Sequence, residues 1–384
     1  MLKNQSGRFS LPKDVCYLNG AYMSPQLKSV EDIGITNLRR KSNPVAITET
    51  DFFSEKEVLR QRFSTLIDTE DPQNIAIIPS VSYGIATVIR NIDFVAGDEI
   101  ILLEAQFPSN YYAWKQLEKE KGVSLKTIQA PALTSGRAER WNEALLASIS
   151  SKTKVVAIPH VHWTDGTLFD LKKIRKRTHE ENAFLIIDGT QSVGALPFSV
   201  KEIKPDALIC GGYKWLLGPY SLGLAYFGER FEQGVPIENN WMNHRGSENF
   251  SNLVNYNPQF KDKAVRFDVG ESSNFILTPM LSEAIRQLLE WTPEAIQQYC
   301  ETISEKPLKR LQEKGFFIED AKYRSKHLFG VYLPEGKDIV DIKDLLTKNK
   351  IFVSYRGKAI RVSPNVYNTK DDLEKLVHCL LHSK

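Results

Sequence analysis

The sequence is sparing in features that mark several large classes of protein. Cysteine is scarce: Cys16, Cys210, Cys300 and Cys379 are the only four in 384 residues, and they lack metal-ligand spacing. That argues against a disulfide framework or a zinc module, and predicts free thiols in a reducing, cytoplasmic setting with no bound metal. No apolar run approaches the ~20 residues needed to cross a bilayer, so no membrane partner is expected. The opening MLKNQSGRFSLPKD lacks the apolar stretch of a secretory signal. Charge of one sign is also missing. Fifty Lys and Arg against 47 Asp and Glu leave a net +3 without any basic block, so no nucleic-acid partner is expected. Neither GxGxxG nor GxxxxGK[ST] occurs, which removes the usual dinucleotide and ATP phosphate loops. There is no internal repeat and no low-complexity tract.

What is present is an ordinary globular composition, 42% hydrophobic and 25% charged, in a chain long enough for one large and one smaller domain. From about residue 75 to 227, short apolar runs alternate with longer amphipathic ones. Strands are predicted at NIAIIP (74–79), EIILL (99–103), SLKTIQ (124–129), KVVAIP (154–159), FLIID (184–188), ALIC (207–210) and LGLAYF (222–227). Helical segments such as YGIATVIRNI, YYAWKQLEKEK and LKKIRKRTHEE lie between them. This alternation predicts an α/β fold: a mainly parallel sheet covered by helices on both faces. The missing helix between Cys210 and Leu222 predicts a hairpin there, making the seven-stranded sheet mixed. After about residue 275 the rhythm changes. Two helices are expected, over MLSEAIRQLLEW and over PEAIQQYCETISEKPLKRLQEKG ending at Gly315. Then come LFGVYL, a helix through IVDIKDLLTKN, the strands IFVSY and AIRVS, and a last helix TKDDLEKLVHCLLH. These make a separate, smaller α+β domain.

Several residues stand at predicted strand ends, where open α/β sheets bind ligands. Lys214, in CGGYKWLLGP, has Tyr213, Trp215 and Leu216 as neighbours. Apolar surroundings lower a lysine pKa and make the amine a nucleophile toward carbonyls; a lysine snorkelling from a strand end is the alternative. Asp188 closes FLIID, either as a helix cap or as the partner of a cationic ring nitrogen, and Gln191 lies three residues on. The turn in IIPSVSYGIATVI puts Ser80, Ser82 and free amides at a helix N-terminus, where an anion or simply a serine cap would serve. Phe107 offers either a flat face to an aromatic ring or a core side chain. His160 and His162 alternate after another strand but have no apparent third metal ligand. A nucleophilic lysine, a strand-end acid, an anion turn and an aromatic face together match the demands of pyridoxal 5′-phosphate.

With these residues assembled, the chain resembles the class V aminotransferase family of fold-type I pyridoxal-phosphate enzymes, which also holds cysteine desulfurases, kynureninase and isopenicillin N epimerase-like proteins. The resemblance runs through VCYLNGAYMSP, AGDEIILLEAQFPSN, IIDGTQSVGALP, GGYKWLLGPYSLG, AVRFDVGESSN and AIRVSPNVYNT. It implies a Schiff base at Lys214, Asp188 at the pyridine nitrogen and Gln191 at the phenolic oxygen or the lysine. Phe107 would stack on the ring, and Val81, Ser82 and Tyr213 would hold the phosphate. Trp241 and Asn274 would stand at a phosphate, Asn274 from a neighbouring subunit. Arg361 would clamp a substrate carboxylate close to Asn19 and Ala21. The resemblance also implies a homodimer, an N-terminal segment (1–30) near the small domain and active site, a large domain (31–274) and a small one (275–384).

The activity expected is transamination of an amino acid. Kynureninase-like or other C–S or C–C lysis, epimerisation, and a non-catalytic scaffold are the alternatives. Departures from the family narrow the choice. The stretch DLLTKNKIFVSYRGKAIRVS lacks the cysteine a desulfurase needs. Trp163 replaces a desulfurase Asn, Phe107 and Tyr213 replace His, and Gly211 replaces a phosphate-binding Ser. Gln191 stands where kynureninase has His, and Asn110 where it has Asp.

Overall fold

The structure is a computed structural model and describes residues 2–383. A two-residue strand, β1 (Cys16–Tyr17), is followed by β2 (Ile75–Ile78), β3 (Glu99–Leu103), β4 (Ser124–Ile128), β5 (Thr153–Pro159), β6 (Phe184–Asp188), β7 (Ala207–Gly211) and β8 (Gly223–Phe227). Strands β2 to β8 form one seven-stranded sheet in the order β2-β8-β7-β6-β5-β3-β4. The five strands β3 to β7 run parallel, and β8 is antiparallel to both β7 and β2. The sheet is therefore mixed, with the predicted hairpin at β7–β8, and the predicted strands match the observed ones to within a residue or two.

The strands read as unbroken apolar runs because both faces are covered. Their alternate residues divide between two cores. Ile101, Val156, Ile158, Leu185, Ile187 and Leu208 belong to one, and Ile100, Val155, Ala157, Ile186, Ala207 and Ile209 to the other. A period of two sends successive side chains to opposite faces, so each face needs its own layer of helices. Because β2 is reversed twice relative to β7, its carboxyl end lies on the same edge as those of β5, β6 and β7. That edge carries Pro79, Pro159, Asp188 and Gly211 together.

Beyond the sheet come the helices Leu277–Trp291 and Pro293–Glu313, then β9 (Phe329–Tyr332), the helix Ile339–Lys348, β10 (Ile351–Phe352), β11 (Ser354–Arg356), β12 (Ala359–Val362) and the helix Lys370–His382. Strands β11, β12 and β9 form an antiparallel sheet in that order. The single strand expected over IFVSY is in fact two. Ile351 and Phe352 pair in parallel with Cys16 and Tyr17, while Ser354–Arg356 pairs with β12. The break at Val353 lets one short segment serve two partners, the first of them some 330 residues away in sequence. From β1 the chain continues across this sheet, and Gly20 N donates to Ser363 O at 3.1 Å.

Candidate active site

The site begins with the turn after β2. Ser80 is extended (φ −164°), and its Oγ accepts from Tyr83 N at 3.2 Å, capping the helix Val81–Arg90. Ser82 Oγ lies 2.9 Å from Ser80 Oγ. Gly84 lets this helix lie close on the sheet: a Cβ there would stand 2.8 Å from Ile209 Cγ2. The helix N-terminus, with its unpaired amides and positive end of the dipole, thereby borders a cavity of about 310 Å³ at the carboxyl edge of the sheet.

Asp188 forms another wall of that cavity. It is 7% exposed, its Oδ1 accepts from Thr190 N at 2.9 Å, and burial raises its pKa although Thr190 and Lys214 pull the other way. A carboxylate so placed gains from a nearby cation or N–H donor. Gln191 is fixed on several sides. Its Nε2 donates to Ala21 O at 3.1 Å, its Oε1 accepts from Trp215 Nε1 at 2.8 Å, and its carbonyl oxygen lies 2.7 Å from His327 Nε2. His327 is buried, and burial pushes its pKa down to about 4, so the ring is neutral and donates through Nε2. Sequence reasoning missed His327, because its role depends on a contact across 136 residues.

Lys214 follows β7 and is 5% exposed. Burial pushes its pKa down to about 8; Asp188 opposes the shift, and Arg361 and Arg356 add to it. Its Nζ lies 5.1 Å from the centre of the Phe107 ring and 5.3 Å from that of Tyr213. Phe107 stands edge-on to Trp163, with ring centres 5.3 Å apart at 87°. A Cβ at Gly211 would come within 3.4 Å of Thr190 and of Tyr213 and 3.7 Å of Val81, narrowing the cradle between helix N-terminus and aromatic ring. The absence of a side chain there suits a phosphorylated ring compound. Amine, acid, aromatic face and anion-binding end thus surround one space, and these residues fit pyridoxal phosphate.

A second hollow of about 440 Å³ shares Phe107, Trp163, Tyr213, Tyr220 and Lys214 with the first and is closed by Arg361 and Arg356. Arg361 is 1% exposed. Its Nη1 donates to Trp163 O at 3.0 Å and its Nη2 to Ser354 Oγ at 3.3 Å, while its Nε has no partner. Burial and the neighbouring Arg356 hold its pKa below the usual guanidinium range. Asn19 acts one step back. Its Oδ1 accepts from Ser354 Oγ at 2.7 Å, so it supports Arg361 through Ser354, while Ala21, Tyr22 and Met23 line the hollow itself. Arg356 was also missed in the sequence, although the signal was there in SYRGKAIR: a Gly-Lys turn with Gly357 at φ +55° folds β11 onto β12.

The structure therefore brings Val81, Ser82, Phe107, Asp188, Gln191, Tyr213 and Lys214 around one cavity and places Arg361 at the far side of Lys214. It does not bring Trp241 and Asn274 there. They line a separate hollow of about 560 Å³ that shares only Pro79, Ser221 and Leu222 with the first. Asn274 Oδ1 accepts from Ile276 N and Leu277 N at 3.1 and 2.9 Å. Neither strand-end histidine, His160 or His162, lines the two cavities that Lys214 shares. His162 is satisfied by Thr164 Oγ1 at 2.7 Å and Glu104 O at 3.1 Å. Among the described residues no three His, Cys, Asp or Glu side chains are placed to hold a metal ion. None of the four cysteines lines either cavity, and burial pushes the Cys210 thiol far up.

Comparison with known proteins identifies the family. Residues 39–376 match the family described as Aminotransferase class-V. An uncharacterized aminotransferase, YcbU of Bacillus subtilis (strain 168), is 25% identical over 359 residues, covering 93% of this chain and 90% of that protein. Isopenicillin N epimerase of Amycolatopsis lactamdurans is 22% identical over 402 residues, covering 98% and 97%. Among solved structures, a C-DES mutant with glycine covalently linked to its PLP cofactor superposes with a TM-score of 0.87 at 18% identity, covering 99% of this chain and 100% of that one.

Proposed function

The chain belongs to the class-V aminotransferase family of pyridoxal-phosphate enzymes, and from that premise we propose that it transfers the amino group of an amino acid, with Lys214 as its proton-transferring amine. The observation that carries this reading is the position of Lys214. Among the described residues it is the one amine shared by two cavities, one leading to Asp188 and a helix N-terminus and the other to Arg361. Lys214 Nζ would hold the cofactor, Asp188 would face its ring nitrogen, Phe107 would cover its ring, and Val81, Ser82 and Tyr213 would hold its phosphate. When bound, pyridoxal phosphate supplies an electron sink that acidifies the α C–H of an attached amino acid.

The remaining work falls to side chains. Arg361 would fix the α-carboxylate by two parallel hydrogen bonds and so orient the α C–H toward Lys214. With its pKa brought to about 8, Lys214 Nζ takes a proton near neutral pH and gives it back. Lys214 can serve both transfers, as transamination requires, whereas epimerisation would call on a second group opposite it, such as the phenol of Tyr213 or Tyr220, which line the same two cavities. The lack of a cysteine in either cavity weighs against desulfurase chemistry. For the whole molecule, a cytoplasmic homodimer fits best. Its four thiols are buried and unpaired, which supports a reducing compartment, and Trp241 and Asn274 lie outside the Lys214 cavity, which supports a role for them at a second copy's site.

The test is to incubate the holoenzyme with a panel of amino acids and keto-acid acceptors and to identify products by mass spectrometry. Paired keto acid and new amino acid are expected. Racemised substrate, or pyruvate and ammonia without an acceptor, would replace transamination by epimerase or lyase activity.

A further inference from the structure

The β11–β12 hairpin holds two guanidinium groups, and the reading above uses one. Ser354 lies directly opposite Arg361 in the antiparallel register. Arg356 is two residues beyond Ser354 and projects from the same face, diagonally across from Arg361. Both pack against Trp163, with guanidinium carbons 5.2 Å (Arg356) and 5.9 Å (Arg361) from its ring centre. Arg356 Nη1 donates to Tyr355 O at 2.7 Å, and its Nε, like that of Arg361, is buried without a partner. Neither arginine meets a carboxylate within ion-pairing distance among the described residues, and the hollow they close has no acidic residue in its lining.

Two like charges in one partly dry hollow are costly unless something anionic joins them. The α-carboxylate of an amino acid satisfies only one. Arg361 is the more buried and has the greater influence on Lys214, which assigns it the carboxylate nearest the reacting carbon. Arg356, at the outer end beside Tyr22, is left for the end of the side chain. We infer that the substrate is an amino acid with a second anionic group on its side chain, the α-carboxylate bound by Arg361 and the distal anion by Arg356. This rests on the proposed amino-acid transamination and narrows its substrate class. A neutral side chain would leave a buried donor of Arg356 unpaired, and a site built to pair a polar group rejects analogues that lack it.

The test compares near-isosteric pairs on the holoenzyme: aspartate with asparagine, glutamate with glutamine, and 2-aminoadipate with norleucine. Each half-reaction is followed by cofactor absorbance. Calorimetry with unreactive succinate and glutarate against butyrate gives a readout independent of turnover. At least one acid is expected to exceed its neutral counterpart by about 100-fold in kcat/KM, and a dicarboxylate to bind about tenfold tighter than butyrate. Arg356→Gln should bring both ratios close to one, whereas Arg356→Lys, which keeps the charge, should retain part of each. If the wild type uses neutral members of all three pairs as well as the acids, and binds butyrate as tightly as the dicarboxylates, the inference is overturned and transamination stands. If no amino acid of either kind changes the absorbance of fully loaded enzyme, the proposed function fails and this inference fails with it.

Discussion

Lys214 is folded into a place that disfavours its own charge. Its pKa falls from the ordinary 10.5 to about 8, chiefly by burial. The folded chain therefore binds this proton less readily than the unfolded chain. The resulting penalty is complete below pH 8 and disappears as pH rises from 8 to 10.5. Lys214→Met should remove it, making the cofactor-free protein more stable by about 3 kcal/mol at pH 7, with the gain fading toward pH 10.5. Paired urea titrations at several pH values check this; a gain that grows with pH would contradict the assignment. Arg361 has a different dependence on its chemistry. Lysine cannot copy the two parallel bonds of a guanidinium to a carboxylate. Arg361→Lys should keep cofactor binding but lose about 2–4 kcal/mol in kcat/KM toward amino acids. Wild-type kinetics in that variant would remove Arg361 as the carboxylate clamp.

At the scale of elements, the loop carrying Lys214 is held by the turn after β6. Gly194 has φ +101°, and a Cβ there would lie 2.3 Å from the carbonyl oxygen of Trp215, the residue after Lys214. Gly194→Ala should therefore shift the lysine loop as well as strain the turn, costing about 2–4 kcal/mol and weakening cofactor retention. Denaturant unfolding and cofactor absorbance read the two effects separately, and an unchanged variant would refute the coupling. The strands of the large sheet were legible because burial on both faces leaves continuous β-branched runs, as in FLIID and KVVAIP. The residues at their ends were legible for the same reason: a charge closing such a run, Asp188, or following one, Lys214, is conspicuous. What escaped were features that exist only by pairing. The strand Cys16–Tyr17 is two residues long and is defined by Ile351–Phe352. His327 acquires its place through Gln191, and although the turn that pairs Arg356 with the Arg361 strand is local, its meaning lies in the hollow both arginines close.

At the scale of the whole molecule, Trp241 is 39% exposed, and Val254 and Tyr256 on the loop beyond it are 78% and 94% exposed. With Asn274 outside the Lys214 cavity, this face is expected to meet a second copy, and light scattering should give twice the chain mass. A fully loaded, active monomer would contradict that. The central claim is that one amine, Lys214, holds the cofactor, and the rest of the chain supplies the control. Borohydride reduction of the holoenzyme followed by peptide mapping compares every lysine at once. The account predicts a phosphopyridoxyl group on the peptide containing Lys214 and none after Lys214→Ala; the same group on any other lysine of the wild type would contradict it.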